Sequence, residues 1–205
     1  MKTYKWESIH ARGEQPLNRD EHTCVLYEDS LIVFGGFINS GERMNDMYRY
    51  YFKENKWERV IMMGGDVPAP RSGHSAVIYS DSMFVFGGKD NDNNRLNDIW
   101  EFNFSTYQWT YIPALDPPLP RSGHSANIYK DYMIVFGGIY EVTKELDDMY
   151  LFDIRSKRWI SFFEECMSPV GKNRMTLGFD TFSNEASPNS KQSFKINRIG
   201  GGGLP

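Results

Sequence analysis

At 205 residues, with 40% hydrophobic and 15% aromatic content, the chain can bury a sizeable core as one domain or two. Its formal net charge is −4, so it carries no basic field to hold nucleic-acid phosphates. Its apolar runs are strand-sized, which excludes a hydrophobic helix long enough to span a bilayer.

The start of the chain, Met1-Lys2-Thr3-Tyr4-Lys5-Trp6, has no apolar stretch of the signal-peptide kind. Cys24 and Cys166 stand outside any metal or redox spacing and read as reduced thiols, so a cytoplasmic location is expected. Asn103-Phe104-Ser105 is a formal glycosylation sequon, but it falls in a predicted strand and is discounted. Residues 4–9 read as an outer strand around Trp6 that lacks a sheet of its own.

From Arg19 onward one pattern of about fifty residues is written three times. The middle copy runs Pro70-Arg71-Ser72-Gly73-His74-Ser75-Ala76, Gly87-Gly88, Asn97-Asp98, Trp109. The third runs Pro120-Arg121-Ser122-Gly123-His124-Ser125-Ala126, Gly137-Gly138, Asp147-Asp148, Trp159. The first is looser, with Arg19, His22, Gly35-Gly36, Asn45-Asp46 and Trp57. His22, His74 and His124 stand 52 and 50 residues apart, and the glycines and tryptophans keep the same spacing. A period of this length marks an array of small sheets.

The middle copy predicts four short strands. Ser75–Tyr79 is rich in β-formers, and Met83–Phe86 is apolar throughout, as a strand covered on both faces must be. Gly87-Gly88 then lets the backbone turn through conformations closed to other residues. After the polar loop 89–95, Asn97-Asp98 is expected to bond its own backbone and open the next strand. That strand alternates, with Ile99, Glu101 and Asn103 on one face and Trp100, Phe102 and Phe104 on the other. Residues 108–112 form the last strand, and a proline-rich connection leads on. Such a sheet is apolar on both faces and is satisfied only by neighbours stacked around an axis, as in a β-propeller.

The apolar strand with its diglycine, the aromatic strand after Asn-Asp, and the Trp about 20 residues beyond resemble kelch repeats. The Arg-Ser-Gly-His-Ser opening and the fifty-residue period resemble the longer kelch variety of Rab effectors, cell-polarity factors and host-cell-factor-like proteins. The resemblance covers residues 1–165 and implies an all-β fold of kelch-type propeller blades. Three complete four-stranded antiparallel blades are expected, at about 20–61, 72–113 and 122–163, with partial ones beside them. Residues 166–205 read as a degenerate partial blade or tail. Propellers typically use four to eight blades, so the array is expected to be an incomplete propeller, closed by missing sequence or a second copy. Self-association would then cover open blade edges.

No Ser-His-Asp set, P-loop or clustered carboxylate pair appears, and the copper-oxidase and iron-dependent patterns known among kelch-like propellers have no counterpart here. No catalytic residue, metal site or cofactor is assigned. The three repeating histidines are expected to make the same local bond, each in its own blade. Arg19, Arg71 and Arg121 precede each blade, where they either grip acidic groups of a partner or brace Asp46, Asp98 and Asp148 between blades. The loops after the diglycine differ between copies, and recognition concentrates on loops carried by a rigid scaffold. Candidate partner-binding residues are therefore Phe37, Asn39, Arg43, Arg71, Lys89, Asn91, Arg95, Arg121, Tyr140 and Glu141, with Phe37 and Tyr140 as exposed aromatic anchors. The expected function is protein–protein interaction through this loop face, without nucleic acid or membrane insertion. The alternative is a regulatory propeller region of a larger enzyme, such as a phosphatase or exchange factor; a metal-dependent catalytic propeller ranks last.

Overall fold

In a computed structural model the described residues are 4–161, and they hold fourteen strands and no helix. The chain divides into two units, Met1–Ser168 and Pro169–Pro205, the second of which lies outside the described residues. The strand readings at 166–205 fall there too.

The first sheet gathers β1 (Arg12–Gly13), β2 (Arg19–Asp20), β3 (Thr23–Tyr27), β4 (Ser30–Ile38), β5 (Arg43–Tyr51) and β6 (Lys56–Arg59). The second contains β7 (Ser75–Tyr79), β8 (Ser82–Lys89), β9 (Arg95–Asn103) and β10 (Gln108–Ile112). The third contains β11 (Ser125–Tyr129), β12 (Tyr132–Glu141), β13 (Lys144–Asp153) and β14 (Arg158–Ser161). Within each, the four main strands (β3–β6, β7–β10 and β11–β14) pair antiparallel in succession, giving three propeller blades. Residues 4–10 form no strand and Trp6 is fully exposed. The chain instead joins the outer edge of the first blade later, where β1 lies parallel to β6. A parallel bridge from Leu115 to Arg158 repeats this arrangement at the third blade.

The diglycines do not end their strands. Gly87 and Gly88 adopt φ of +63° and +101° inside β8, and a register shift between Phe86 and Gly88 makes a bulge there. Close approach explains the glycines, to the next blade at Gly87 and to the blade's own opening segment at Gly88: a Cβ on Gly87 would stand 2.8 Å from the Arg121 carbonyl oxygen and 3.0 Å from His124 Cε1. A Cβ on Gly88 would meet the Ser72 carbonyl oxygen at 2.8 Å and His74 Cβ at 2.9 Å.

The core lies between blades. One cluster joins Ile32, Phe34 and Met47 of the first blade to Met83, Val85, Trp100, Phe102, Phe104 and Trp109 of the second. The other joins Val77, Phe84, Phe86, Ile99 and Ile112 of the second to Met133, Val135, Phe152 and Trp159 of the third. Alternate residues of β9 thus serve opposite neighbours: Ile99 faces the third blade, Trp100 and Phe102 the first. The Trp of the last strand reaches back to the preceding blade in the second and third blades, with Trp109 5.0 Å from Phe34 and Trp159 4.7 Å from Phe86 between ring centroids. With a neighbour on each side, β8 is buried along nearly its whole length, whereas β12 alternates between buried and exposed positions.

Candidate functional site

The repeating polar residues build joints between blades. Arg71 donates from Nη1 and Nη2 to the two carboxylate oxygens of Asp98, both at 2.8 Å, and from Nη1 to the Gly87 carbonyl at 2.9 Å. Arg121 forms the same fork with Asp148, and Arg19 with Asp46; every pair is 27 residues apart. The ion pair lies within one blade, not between blades. The backbone of the same arginine crosses to the preceding blade: Arg71 donates its N–H to the Met44 carbonyl and accepts from the Gly36 N–H. Arg121 does the same with Leu96 and Gly88. Burial raises the Asp98 carboxyl, but the Arg71 fork and charge outweigh it and hold it below the ordinary carboxylate value.

Asn97 does not cap its own strand, as its sequence setting suggests. Its side-chain amide donates to the Pro118 carbonyl, and Asn45 repeats this with Pro68. The histidines also bond across blades and not within their own. His74 Nε2 shares a hydrogen bond of 2.9 Å with Thr23 Oγ1, and His124 Nε2 one of 2.8 Å with Ser75 Oγ. Their rings stand edge-on to Phe34 and Phe86 of the preceding blade, 5.3 Å between centroids. Burial, reinforced by the Arg121 charge, pushes His124 down to about 4, and burial with Arg71 pushes His74 well below its ordinary value. Among the described residues no group of three or more His, Cys, Asp or Glu side chains is gathered to hold a metal.

Arg71 and Arg121 therefore do not stand on a partner-binding surface. Both are 0% exposed, and their guanidinium groups are committed to Asp98 and Asp148. Phe37 and Tyr140 are half-buried instead of exposed, because cationic side chains lie against their rings: Arg43 Cζ is 5.3 Å from the Phe37 centroid and Lys144 Nζ 5.3 Å from that of Tyr140.

The structure brings Arg43, Lys89 and Asn91 into one seam between the loop ends of the first two blades. Arg43 donates from Nε to Ser72 Oγ at 2.9 Å, from Nη2 to Asn93 Oδ1 at 2.7 Å, and from its backbone N–H to Asn91 Oδ1 at 2.8 Å. Ser72 Oγ donates onward to Glu21 Oε2 at 2.7 Å, and Lys89 Nζ lies 3.3 Å from the same carboxylate. The Ser72 hydrogen bond, with the Lys89 charge and against partial burial, holds the Glu21 carboxyl below its ordinary value. Asn39 and Glu141 are exposed on the tips of the first and third loops. Arg95 is half-buried and makes no bond to this seam.

Glu21, Ser72 and Asn93 are members of the seam that the repeat pattern did not single out. Glu21 carried a signal: it stands where the other two copies have Gly73 and Gly123, so it is a departure from the framework. On the outer flank an open groove of about 460 Å³ is lined by Arg49, Tyr51, Arg59 and Tyr107 among others. Arg49 is already engaged there with Glu28 and Ser30. No helix among the described residues is long and apolar enough to cross a membrane.

The family model described as the KLHDC2/KLHL20/DRC7 Kelch-repeats domain matches residues 54–177, and the Kelch motif matches residues 18–60. The chain is 38% identical over 114 residues to the Drosophila melanogaster leucine-zipper-like transcriptional regulator 1 homolog, covering 52% of this chain and 12% of that protein. It is 31% identical over 130 residues to mouse Kelch domain-containing protein 1, covering 53% of this chain and 32% of that protein. It is 38% identical over 90 residues to a Caenorhabditis elegans host cell factor homolog, covering 40% of this chain and 11% of that protein. The matched stretches thus span about a third or less of these curated relatives. Kelch domains are generally protein-interaction propellers. With the diglycine bulges, the Arg–Asp forks and the packed tryptophans recurring blade by blade, and with more than half of its length matched by the family, the chain belongs to the kelch-repeat family.

Proposed function

We propose that this chain is a non-enzymatic protein-binding module that receives its partner on the loop face, across the loops 37–43, 89–95 and 139–145. The observation that carries this reading is the Arg43–Ser72–Glu21–Lys89 seam, with Asn91 and Asn93 closing it. The framework arginines, with His74 and His124, are used up within and between blades, while the residues that vary between copies fasten two neighbouring loops to each other. A surface fixed in advance loses less side-chain and loop entropy on binding, which favours affinity. Its polar, mixed-charge character suits a protein segment better than a lipid or a nucleic acid.

Phe37, Asn39, Lys89, Asn91, Arg95, Tyr140 and Glu141 are the proposed contact residues. Arg43 belongs to the platform beneath them, being only 8% exposed. We assign the module to the cytoplasm, where exposed Cys24 stays reduced. Open blade faces, such as the one carrying exposed His22, add a tendency to self-association.

The test is affinity capture from lysate by the intact chain and by a variant with all three loops replaced by Gly-Ser, after circular dichroism has shown that the variant keeps its strands. Proteins retained by the intact chain and lost by the variant support the loop face. Equal recovery from both overturns it.

A further inference from the structure

We propose that Arg95 is the charged anchor of the loop face and receives a carboxylate from an acidic partner segment; this rests on the protein-binding reading above. Arg95 opens β9 as Arg43 opens β5, so the two occupy equivalent places in consecutive blades. Arg43 is satisfied by Ser72 Oγ and by Asn93 Oδ1 of the following loop. The backbone of Arg95 pairs with Lys89 in the ladder, but its side chain makes no hydrogen bond, ion pair or ring contact among the described residues, and its Nε is shielded from solvent with no acceptor. The rest of its side chain is not sealed, since the residue is half-buried.

The third loop explains the difference. In the second loop Asp90 accepts from the backbone N–H groups of Asp92 and Asn94, and this turn folds Asn91 and Asn93 toward Arg43. The third loop lacks the turn. Its strands continue outward as a hairpin to the Glu141–Lys144 pair. The places of Asn91 and Asn93 fall to Glu141 and Thr143, and neither bonds to Arg95. A guanidinium with one shielded, unanswered N–H and a partly open fork fits a carboxylate, which accepts both kinds of bond at once. A dianionic phosphate fits less well, because the neighbouring loops carry the carboxylates of Asp92, Glu141 and Glu145.

The experiment selects phage-displayed random dodecapeptides on the full chain, then measures the selected synthetic peptides by fluorescence anisotropy against wild type, Arg95→Met and the loop-replaced variant. The expected result is a recurrent Asp or Glu among the selected peptides and at least tenfold weaker binding to R95M. Changing that acid to its amide should cost wild type as much and R95M nothing further. Amidation of the peptide end tells a terminal carboxylate from a side-chain one, and loss by either route supports the proposal. Thermal unfolding is the second readout: R95M keeps the wild-type Tm, because the Arg95 side chain holds nothing among the described residues. A lowered Tm in both R95M and Glu141→Gln would show an internal pair and overturn the proposal. Peptides that need the loops but bind R95M unchanged overturn the anchor and leave the loop face standing. If no selected peptide depends on the loops, both readings fall.

Discussion

Arg71 illustrates how much one side chain carries. It is fully buried, its charge is met by Asp98, and its backbone holds the preceding blade. Removing one member of a buried pair leaves the other uncompensated, at about 3–5 kcal/mol. Arg71→Ala is therefore expected to lose about that much stability in urea unfolding, and Arg71→Ala with Asp98→Asn to lose less than Arg71→Ala alone. His124 gives a pH signature. Its pKa is about 4 in the folded chain against an ordinary 6.5, so between those values the unfolded state binds the extra proton. Stability is fully present above about pH 6.5 and is lost as pH falls toward 4, by about 3 kcal/mol for this group. His74 acts in the same direction. Urea midpoints measured across this window should fall with acid, and His124→Gln should flatten the slope. Asp98 acts in a separate window: with its pKa held below the ordinary 3.8, its contribution is lost only as pH falls further.

The Arg–Asp partnership was open to a reader of the sequence, because a 27-residue offset kept three times over pairs opposite charges. The histidine bonds were not. His74 and Thr23 are 51 residues apart, and a repeat shows that a residue recurs without showing which neighbour it touches. Arg43 and Arg95 look alike as text and differ only because the turn around Asp90 folds back and the 139–145 hairpin does not.

Among the elements, the diglycine strand decides how closely blades stack. The sequence placed a turn at Gly87-Gly88, since glycine pairs usually mark one; the structure keeps the strand running and uses the missing Cβ atoms for approach. Gly137 has the same backbone, φ +66°, but among the described residues only the Leu146 carbonyl oxygen, at 3.1 Å, stands near its absent Cβ. Ala at either site meets the left-handed penalty of about 1–2 kcal/mol. Gly87→Ala also collides with Arg121 and His124, so it should cost at least about 1 kcal/mol more than Gly137→Ala by chemical denaturation. The difference measures the blade contact, since the backbone strain is common to both.

For the molecule as a whole, the two apolar clusters each need two blades, so no blade is a self-sufficient unit. The middle blade has a neighbour on each side, and Phe84, Phe86 and Phe102 are at or below 1% exposure. Burying each such side chain contributes about 1.5–3 kcal/mol. Native-state hydrogen exchange should therefore be slowest in β8 and β9 and faster in β3 and β11, which lie in the flanking blades. Exchange that is uniform over all three blades would instead indicate one indivisible cooperative unit.

The arginine joint also gives the array a direction. Each repeat holds its predecessor by its backbone and its own body by its side chain, like a hook and an eye forged on one link. A duplicated repeat inserted in line arrives with both halves of the fastening, so lengthening the array by whole copies requires no new contact to be invented. A repeat cut at the arginine loses its hold on both sides at once. The natural seam for duplication or permutation is therefore the proline-rich stretch just ahead of it, and there the chain's history of copying is expected to have joined its pieces.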